Sequence, residues 1–185
     1  MSDMDQATVM PEEGAVSSGD AATSSGSRVR IVRLPTQVAN LEVIVPYALI
    51  AEINEVMLPE GETHLSRLDA AMVDWRAQRI PLVSLEAMLN EPLPTIGQRV
   101  RCAVIYGTNP DIALPYYAIL LSGVPRSEEV TADSFEEEVQ VDGEIWGITA
   151  LLGGRRIAIP DVRTLELRID EMRLRFEQES MAPAQ

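Results

Sequence analysis

The chain has 185 residues, enough for one ordinary domain or two small subdomains, which excludes a larger multidomain assembly. Hydrophobic residues make up 46% of it and aromatic residues only 4%, so its core must be built from Val, Ile, Leu, Ala and Met. With 29 acidic and 15 basic residues the net charge is -14, which repels polyphosphates and argues against nucleic acid as a partner.

The side chains that most often carry catalysis are scarce. All 15 basic residues are Arg, and a chain without lysine has no P-loop, Schiff base or Ser–Lys pair. Cys102 is the only cysteine, predicted to be a buried small hydrophobe, and His64 is the only histidine, predicted to lie in a solvated loop. No hydrolase or zinc-protease motif is present. We therefore expect no enzymatic activity, no cofactor and no metal site.

The N-terminal segment predicts a cytoplasmic protein. Residues 1–27 are rich in Ser, Gly, Ala and acid and have no hydrophobic period, so they predict a disordered tail. They lack the positive charge and apolar core of a secretory leader. The longest apolar candidate, residues 112–124, is interrupted by polar and turn residues and falls short of the roughly 18 residues that span a bilayer. No direct membrane insertion is expected.

Short strands dominate the first half of the chain. Residues 28–34 alternate between apolar and charged side chains, which predicts a half-buried strand, and a second strand is expected over 41–46. The pattern over 47–56 fits either a helical turn or a continuation of the sheet. The apolar run 80–85 predicts another strand, and 86–90 predicts one helical turn that ends before a pair of prolines.

The second half is also rich in strands. Apolar runs predict strands over 100–106, 116–124, 145–152 and 155–160. Gly153 and Gly154 separate the last two, and this pair favours a tight hairpin in which both central residues have positive φ. Short strands with frequent turns and no alternating helices indicate a mainly β protein built as antiparallel barrels or a sandwich.

An acidic run and a helical segment complete the pattern. Residues 128–144 carry eight carboxylates, which we interpret as a solvated connector between strands, with ion binding as the alternative. From Asp161 onward a narrow apolar stripe with helical spacing predicts an amphipathic helix that frays beyond Ser180. This stripe fits packing on the protein's own barrel, which we favour, or pairing with a partner helix.

Three segments together resemble the CheW-like adaptors of bacterial chemosensory systems. They are VIVPYALIAEI (residues 43–53), WRAQRIPLVSL (residues 75–85) and the closing block 116–167. The most specific feature is an Arg five residues before the Pro of the I-P-L-V-S-L strand, here Arg76 and Pro81, with Glu52 and Ile53 upstream. The resemblance covers residues 28–167 and leaves both ends of the chain outside it.

The resemblance implies a fold of two small five-stranded SH3-like β-barrels packed around a shared apolar seam, with a C-terminal α-helix. On this mapping the first barrel takes residues of about 40–97, and the second takes about 28–39 together with 98–167. Residues 1–27 would form the N-terminal tail, and residues 168–185 the end of the helix and a C-terminal tail.

The resemblance also implies a function without catalysis. CheW-like adaptors couple the cytoplasmic tips of methyl-accepting chemoreceptors to a CheA-type histidine kinase, and other CheW-like domains are further expected partners. The protein would then associate with membrane-bound receptor arrays. The partner-binding residues implied for this chain are Ile50, Glu52 and Arg76. Because an Arg fork matches a carboxylate, we predict that Arg76 and Glu52 form a salt bridge.

The chain departs from the family pattern around this Arg. Alanines occupy both positions where the family has glycine, Ala71 and Ala77. Because Ala does not adopt positive φ cheaply, the turn after Arg76 must either have a different shape or carry strain. The divergence suggests a specialised pathway, such as one controlling type IV pili and twitching motility.

Two further functions compete with the adaptor. One is a small-ligand or ion-binding regulatory β-domain that uses the acidic segment and the groove between barrels. The other is a hydrolase with paired carboxylates, which requires two acids with opposed pKa values in one cleft. Both need a concave polar pocket, whereas an adaptor needs only surfaces.

Overall fold

The computed structural model describes residues 27–59, 70–93, 95–141 and 143–181. Its strands are β1 Val29–Leu34, β2 Glu42–Pro46, β3 Ile50–Met57, β4 Ala71–Trp75, β5 Gln78–Val83, β6 Arg99–Tyr106, β7 Tyr116–Leu121, β8 Arg126–Val130, β9 Phe135–Glu138, β10 Trp146–Leu152 and β11 Arg155–Pro160. Its helices are α1 Leu85–Met88 and α2 Val162–Met181. Single 3-10 turns occur at Tyr47–Leu49 and Ala132–Ser134.

The strands form two curled sheets. One has six strands in the order β8-β1-β2-β11-β10-β9, and the other has five in the order β3-β6-β7-β5-β4. Most neighbours are antiparallel, but β2 pairs with β11, and β5 with β7, in parallel. The predicted mainly β fold of two small SH3-like barrels with a C-terminal helix is confirmed, although one of the two sheets has six strands.

The long apolar runs of the sequence arise because the central strands are buried on both faces. Along β7, Tyr117, Ile119 and Leu121 face a core shared by the two sheets. The alternate residues Ala118 and Leu120 face the interior of the five-stranded sheet. A strand covered on both sides shows no polar alternation, which explains the continuous run at 116–121. The shared core is the apolar seam that the resemblance implies.

The expected division of the chain between the barrels is wrong in two places. Strand β2, assigned to the first barrel, lies between β1 and β11 in the six-stranded sheet. Strands β6 and β7, assigned to the second barrel, lie between β3 and β5 in the five-stranded sheet. Each sheet thus combines strands distant in sequence, and local pattern carries no information about such pairing.

Three other segments refine the sequence-based expectations. The sequence left residues 47–56 open between a helical turn and a strand, and the structure has both, a 3-10 turn followed by β3. The acidic run 128–144 is not only a connector, because it includes β9 and most of β8, whose acidic composition hides the strand signal. Strand β4 was not predicted. His64 lies outside the described residues, as do residues 1–26 of the expected tail and residues 182–185.

Helix α2 packs on its own protein, as favoured from the sequence. Leu165, Ile169 and Met172 are buried in the shared core. The carboxylate of Glu166, also fully buried, accepts hydrogen bonds from the Thr108 and Asn109 backbone N–H groups, each at 2.8 Å. The helix is therefore fixed to the loop after β6. Among the described residues, no helix is both long enough and apolar enough to cross a bilayer.

Two local predictions are also confirmed. Gly153 and Gly154 join β10 to β11 with φ values of 60° and 71°, the left-handed conformation expected for a two-residue hairpin loop. Cys102 lies in the interior of the five-stranded sheet and is fully buried. Burial, and secondarily the nearby Glu52 carboxylate, raise the pKa of the Cys102 thiol to about 12. The thiol is therefore protonated at neutral pH.

Candidate partner-binding surface

Glu52, Trp75 and Arg76 connect the two outer strands of the five-stranded sheet. Glu52 lies on β3 and Trp75 ends β4, the two strands at opposite ends of the sheet order. Arg76 Nη2 lies 2.8 Å from Glu52 Oε2, and the indole N–H of Trp75 donates to the same oxygen at 3.0 Å. The predicted salt bridge is confirmed. We call these three side chains the clasp, because they link the edges of the curled sheet.

The clasp is solvated on one side and buried on the other. The side chain of Arg76 is 66% exposed and that of Glu52 is 31% exposed, whereas Trp75 is only 4% exposed. Since solvent screens the ion pair, its own contribution to stability is small, at most about 1 kcal/mol. Arg76 therefore remains accessible to a partner, while Trp75 and Glu52 hold it in place.

An aromatic row extends from the clasp across the sheet. The guanidinium carbon of Arg76 lies 4.9 Å from the centroid of the Trp75 ring. The Trp75 and Tyr116 ring centroids are 4.9 Å apart, and those of Tyr106 and Tyr116 are 5.5 Å apart. Tyr106 and Tyr116 are paired across β6 and β7. Arginine and aromatic side chains are enriched at protein interfaces. Because Trp75 is buried and Tyr106 is exposed, the row offers a partner Arg76 at one end and Tyr106 at the other.

The turn that presents Arg76 keeps a glycine-like backbone without glycine. Arg76 has φ 45° and Ala77 has φ 62°, both in the left-handed region. Strands β4 and β5 pair up to Trp75 and Gln78, which makes Arg76 and Ala77 the two-residue loop of a hairpin. The sequence left two possibilities for this turn, a different shape or backbone strain. The turn keeps the shape that glycine favours, and Ala77 carries the strain.

Ile50 lies apart from the clasp. It begins β3 and pairs with Ile105, and its half-buried side chain packs against the shared core. The register of β3 shifts between Ile50 and Glu52, which places an extra residue between them. The structure thus brings together Glu52 and Arg76 but leaves Ile50 at the seam. Sequence reasoning overlooked Trp75, Tyr106 and Tyr116, and their only signal was aromatic character in a chain with few aromatic residues.

Charges lie on the outer face of β3 as well. Glu55 pairs with Arg101 at 2.9 Å, between the exposed side chains of Ile53 and Met57. In the described part of the chain, no three His, Cys, Asp or Glu side chains are arranged to hold a metal ion.

Comparison with known protein families matches residues 36–167 to the CheW-like domain. Because the match extends over most of the sequence, the chain belongs to the CheW-like domain family. Among solved structures, it is similar to the scaffolding protein TtCheW from Thermoanaerobacter tengcongensis, with a TM-score of 0.55 and 15% sequence identity over 73% of this chain and 90% of that chain. At this identity the likeness concerns the fold. Comparison with curated protein sequences found no match.

Proposed function

We propose that this protein is a non-enzymatic adaptor that couples a chemoreceptor to a CheA-type histidine kinase in a bacterial chemosensory pathway. The observation that carries the proposal is the CheW-like match over residues 36–167, because proteins of this family act as scaffolds. The structure adds a surface suited to the role, in which an exposed Arg is held by a carboxylate and an aromatic row.

In this proposal the receptor contact is centred on Arg76. Its guanidinium is anchored through Nη2 to Glu52, which leaves further N–H donors facing solvent. A receptor carboxylate or carbonyl at the hairpin tip would accept hydrogen bonds from these donors. Tyr106, 45% exposed, would supply apolar contact area at the other end of the aromatic row. Ile50 would add apolar contact at the start of β3, beside the shared core, to a partner that spans both barrels.

The proposed adaptor works in the cytoplasm at membrane-bound receptor arrays, where other CheW-like domains are further proposed partners. The replacement of both family glycines by Ala71 and Ala77 supports a specialised pathway, and we propose one that controls type IV pili and twitching motility. Deletion of the coding sequence should then abolish surface twitching and leave flagellar swimming intact. Loss of swimming alone would reject this pathway.

Co-purification tests the adaptor directly. The full chain should retain both a receptor cytoplasmic fragment and the kinase, and Arg76→Ala should lose the receptor while it keeps the kinase. Arg99→Ala is the matched control, since Arg99 is also an exposed arginine of the five-stranded sheet. Among the described residues its ion-pair partner is Glu55, at 4.0 Å. Unchanged receptor binding by Arg76→Ala, or equal loss in both variants, would reject the proposed contact.

A further inference from the structure

Three arginines converge on a cleft at one end of the six-stranded sheet, whereas the clasp lies on the five-stranded sheet. The cleft has a volume of about 320 Å³, and Arg33, Arg126 and Arg155 line it. Leu34, Pro35 and Leu41 form apolar parts of its wall, and Val124, 71% exposed, lies at its rim. A concentration of positive charge is unexpected in a chain whose net charge is -14.

Two of these arginines lie directly opposite each other. Arg33 on β1 pairs with Arg126 on the edge strand β8, so their side chains emerge on the same face of the sheet. Like charges in this position repel each other unless counter-charges are present. Arg33 has such counter-charges: it contacts Glu42, and its Nη2 lies 2.6 Å from Glu128. Arg155 also contacts Glu42, at 2.5 Å.

Arg126 differs from its neighbours. It is exposed and forms no ion pair with any described residue, although it lines the same cleft. The two carboxylates nearby, Glu42 and Glu128, are already engaged by Arg33 and Arg155. Within the described part of the chain, three guanidinium groups against two carboxylates leave one positive charge uncompensated at this position.

The cleft also contains an unused polar group. The hydroxyl Oγ1 of Thr36 is buried and has no hydrogen-bond partner among the described residues, and Thr36 lines the cleft. A buried hydroxyl without a partner costs free energy, so an acceptor that reached this hydroxyl from the cleft would gain a hydrogen bond. The missing component of this site is therefore an acceptor with negative charge.

We propose that this cleft binds an oxyanion, a carboxylate or a phosphate group, between Arg126, Arg155 and the Thr36 hydroxyl. Planar guanidinium groups match both kinds of oxyanion with paired hydrogen bonds. The competing explanation is that Arg126 merely keeps the exposed edge of β8 from pairing with other strands. That explanation predicts no saturable ligand, and it leaves the Thr36 hydroxyl unexplained.

NMR titration of the full chain distinguishes the two explanations. The probes are inorganic phosphate and an end-blocked tetraglutamate peptide, with tetraglutamine as the uncharged control. We expect saturable chemical-shift changes at the Thr36 amide and the Arg126 and Arg155 side-chain Nε–H groups. Arg126→Gln should weaken the apparent affinity by about tenfold or more, because it removes the uncompensated charge. Arg99→Gln, on the other barrel, should leave the affinity unchanged.

The two probes identify the source of the oxyanion. Binding of tetraglutamate in preference to phosphate would assign the cleft to an acidic protein segment, and the reverse preference to a free anion; both results support an oxyanion site. Failure of both probes to saturate any of these signals would overturn the proposal. Equal weakening by Arg126→Gln and Arg99→Gln would also overturn it, since it would mean only general attraction of anions to the protein.

Discussion

Replacement of Ala77 by glycine should stabilise the protein. Ala77 has φ 62°, and the left-handed conformation costs a non-glycine residue about 1–2 kcal/mol. Glycine removes most of that cost, but it also makes the unfolded chain more flexible, which lowers the unfolding free energy by about 0.4–1 kcal/mol. Ala77 is exposed, so removal of its methyl group loses little buried surface. At the middle of both ranges the net gain in unfolding free energy is about 0.8 kcal/mol, which is a rise in Tm of about 2–3 °C for a protein of this size.

Urea denaturation measures this change, and Gly154→Ala is its mirror image. Gly154 has φ 71° in the other two-residue hairpin, and a Cβ added there would meet no atom within 4 Å. Its replacement should therefore cost about as much as the Ala77 change gains, through the backbone alone. Strain at the Arg76 turn would be refuted if Ala77→Gly left the unfolding free energy unchanged or lowered it while Gly154→Ala was destabilising.

Three more expectations concern buried and paired groups. Glu166→Gln should lower the unfolding free energy by about 1–3 kcal/mol, because one backbone N–H of Thr108 or Asn109 loses its acceptor; equal stability in urea would contradict this. For Glu42, burial raises the pKa, but the neighbouring Arg155 and Arg33 lower it by more, so the net shift is downward. The ionised carboxylate therefore stabilises the fold above pH 4.5, its ordinary pKa, and this contribution is lost as the pH falls through the lowered pKa. Glu42→Gln should therefore flatten the loss of stability in acid, and identical pH slopes for both proteins would count against it. Cys102, with a pKa of about 12, should react with a thiol reagent at pH 8 only at the rate of unfolding, whereas rapid labelling of the folded protein would show that the thiol is accessible.

Features encoded by neighbouring residues were predictable from the sequence. The hairpin at Gly153 and Gly154 depends on two residues that favour positive φ, and α2 depends on apolar spacing along one segment. The membership of each sheet was not predictable in this way. The parallel pairing of β2 with β11 joins segments more than a hundred residues apart, and no local pattern specifies it.

Edge strands and the site show the same limit. Strands β8 and β9 lie at the two edges of their sheet, where solvent accepts acidic side chains, so their composition resembles a loop. The Glu52–Arg76 pair could be predicted because the resemblance to CheW-like adaptors assigned both residues to the partner-binding surface. The aromatic row could not be predicted. Trp75 and Tyr116 meet only when the curled sheet brings β4 near β7, which depends on the complete fold.

A sedimentation experiment with receptor-containing vesicles, the kinase and this protein tests the adaptor proposal in a single step. The kinase should sediment with the vesicles when the protein is present, remain in solution when it is absent, and be released again when the Arg76→Ala variant replaces it. Sedimentation of the kinase that does not depend on the protein, or a protein that never binds the vesicles, would contradict the adaptor function.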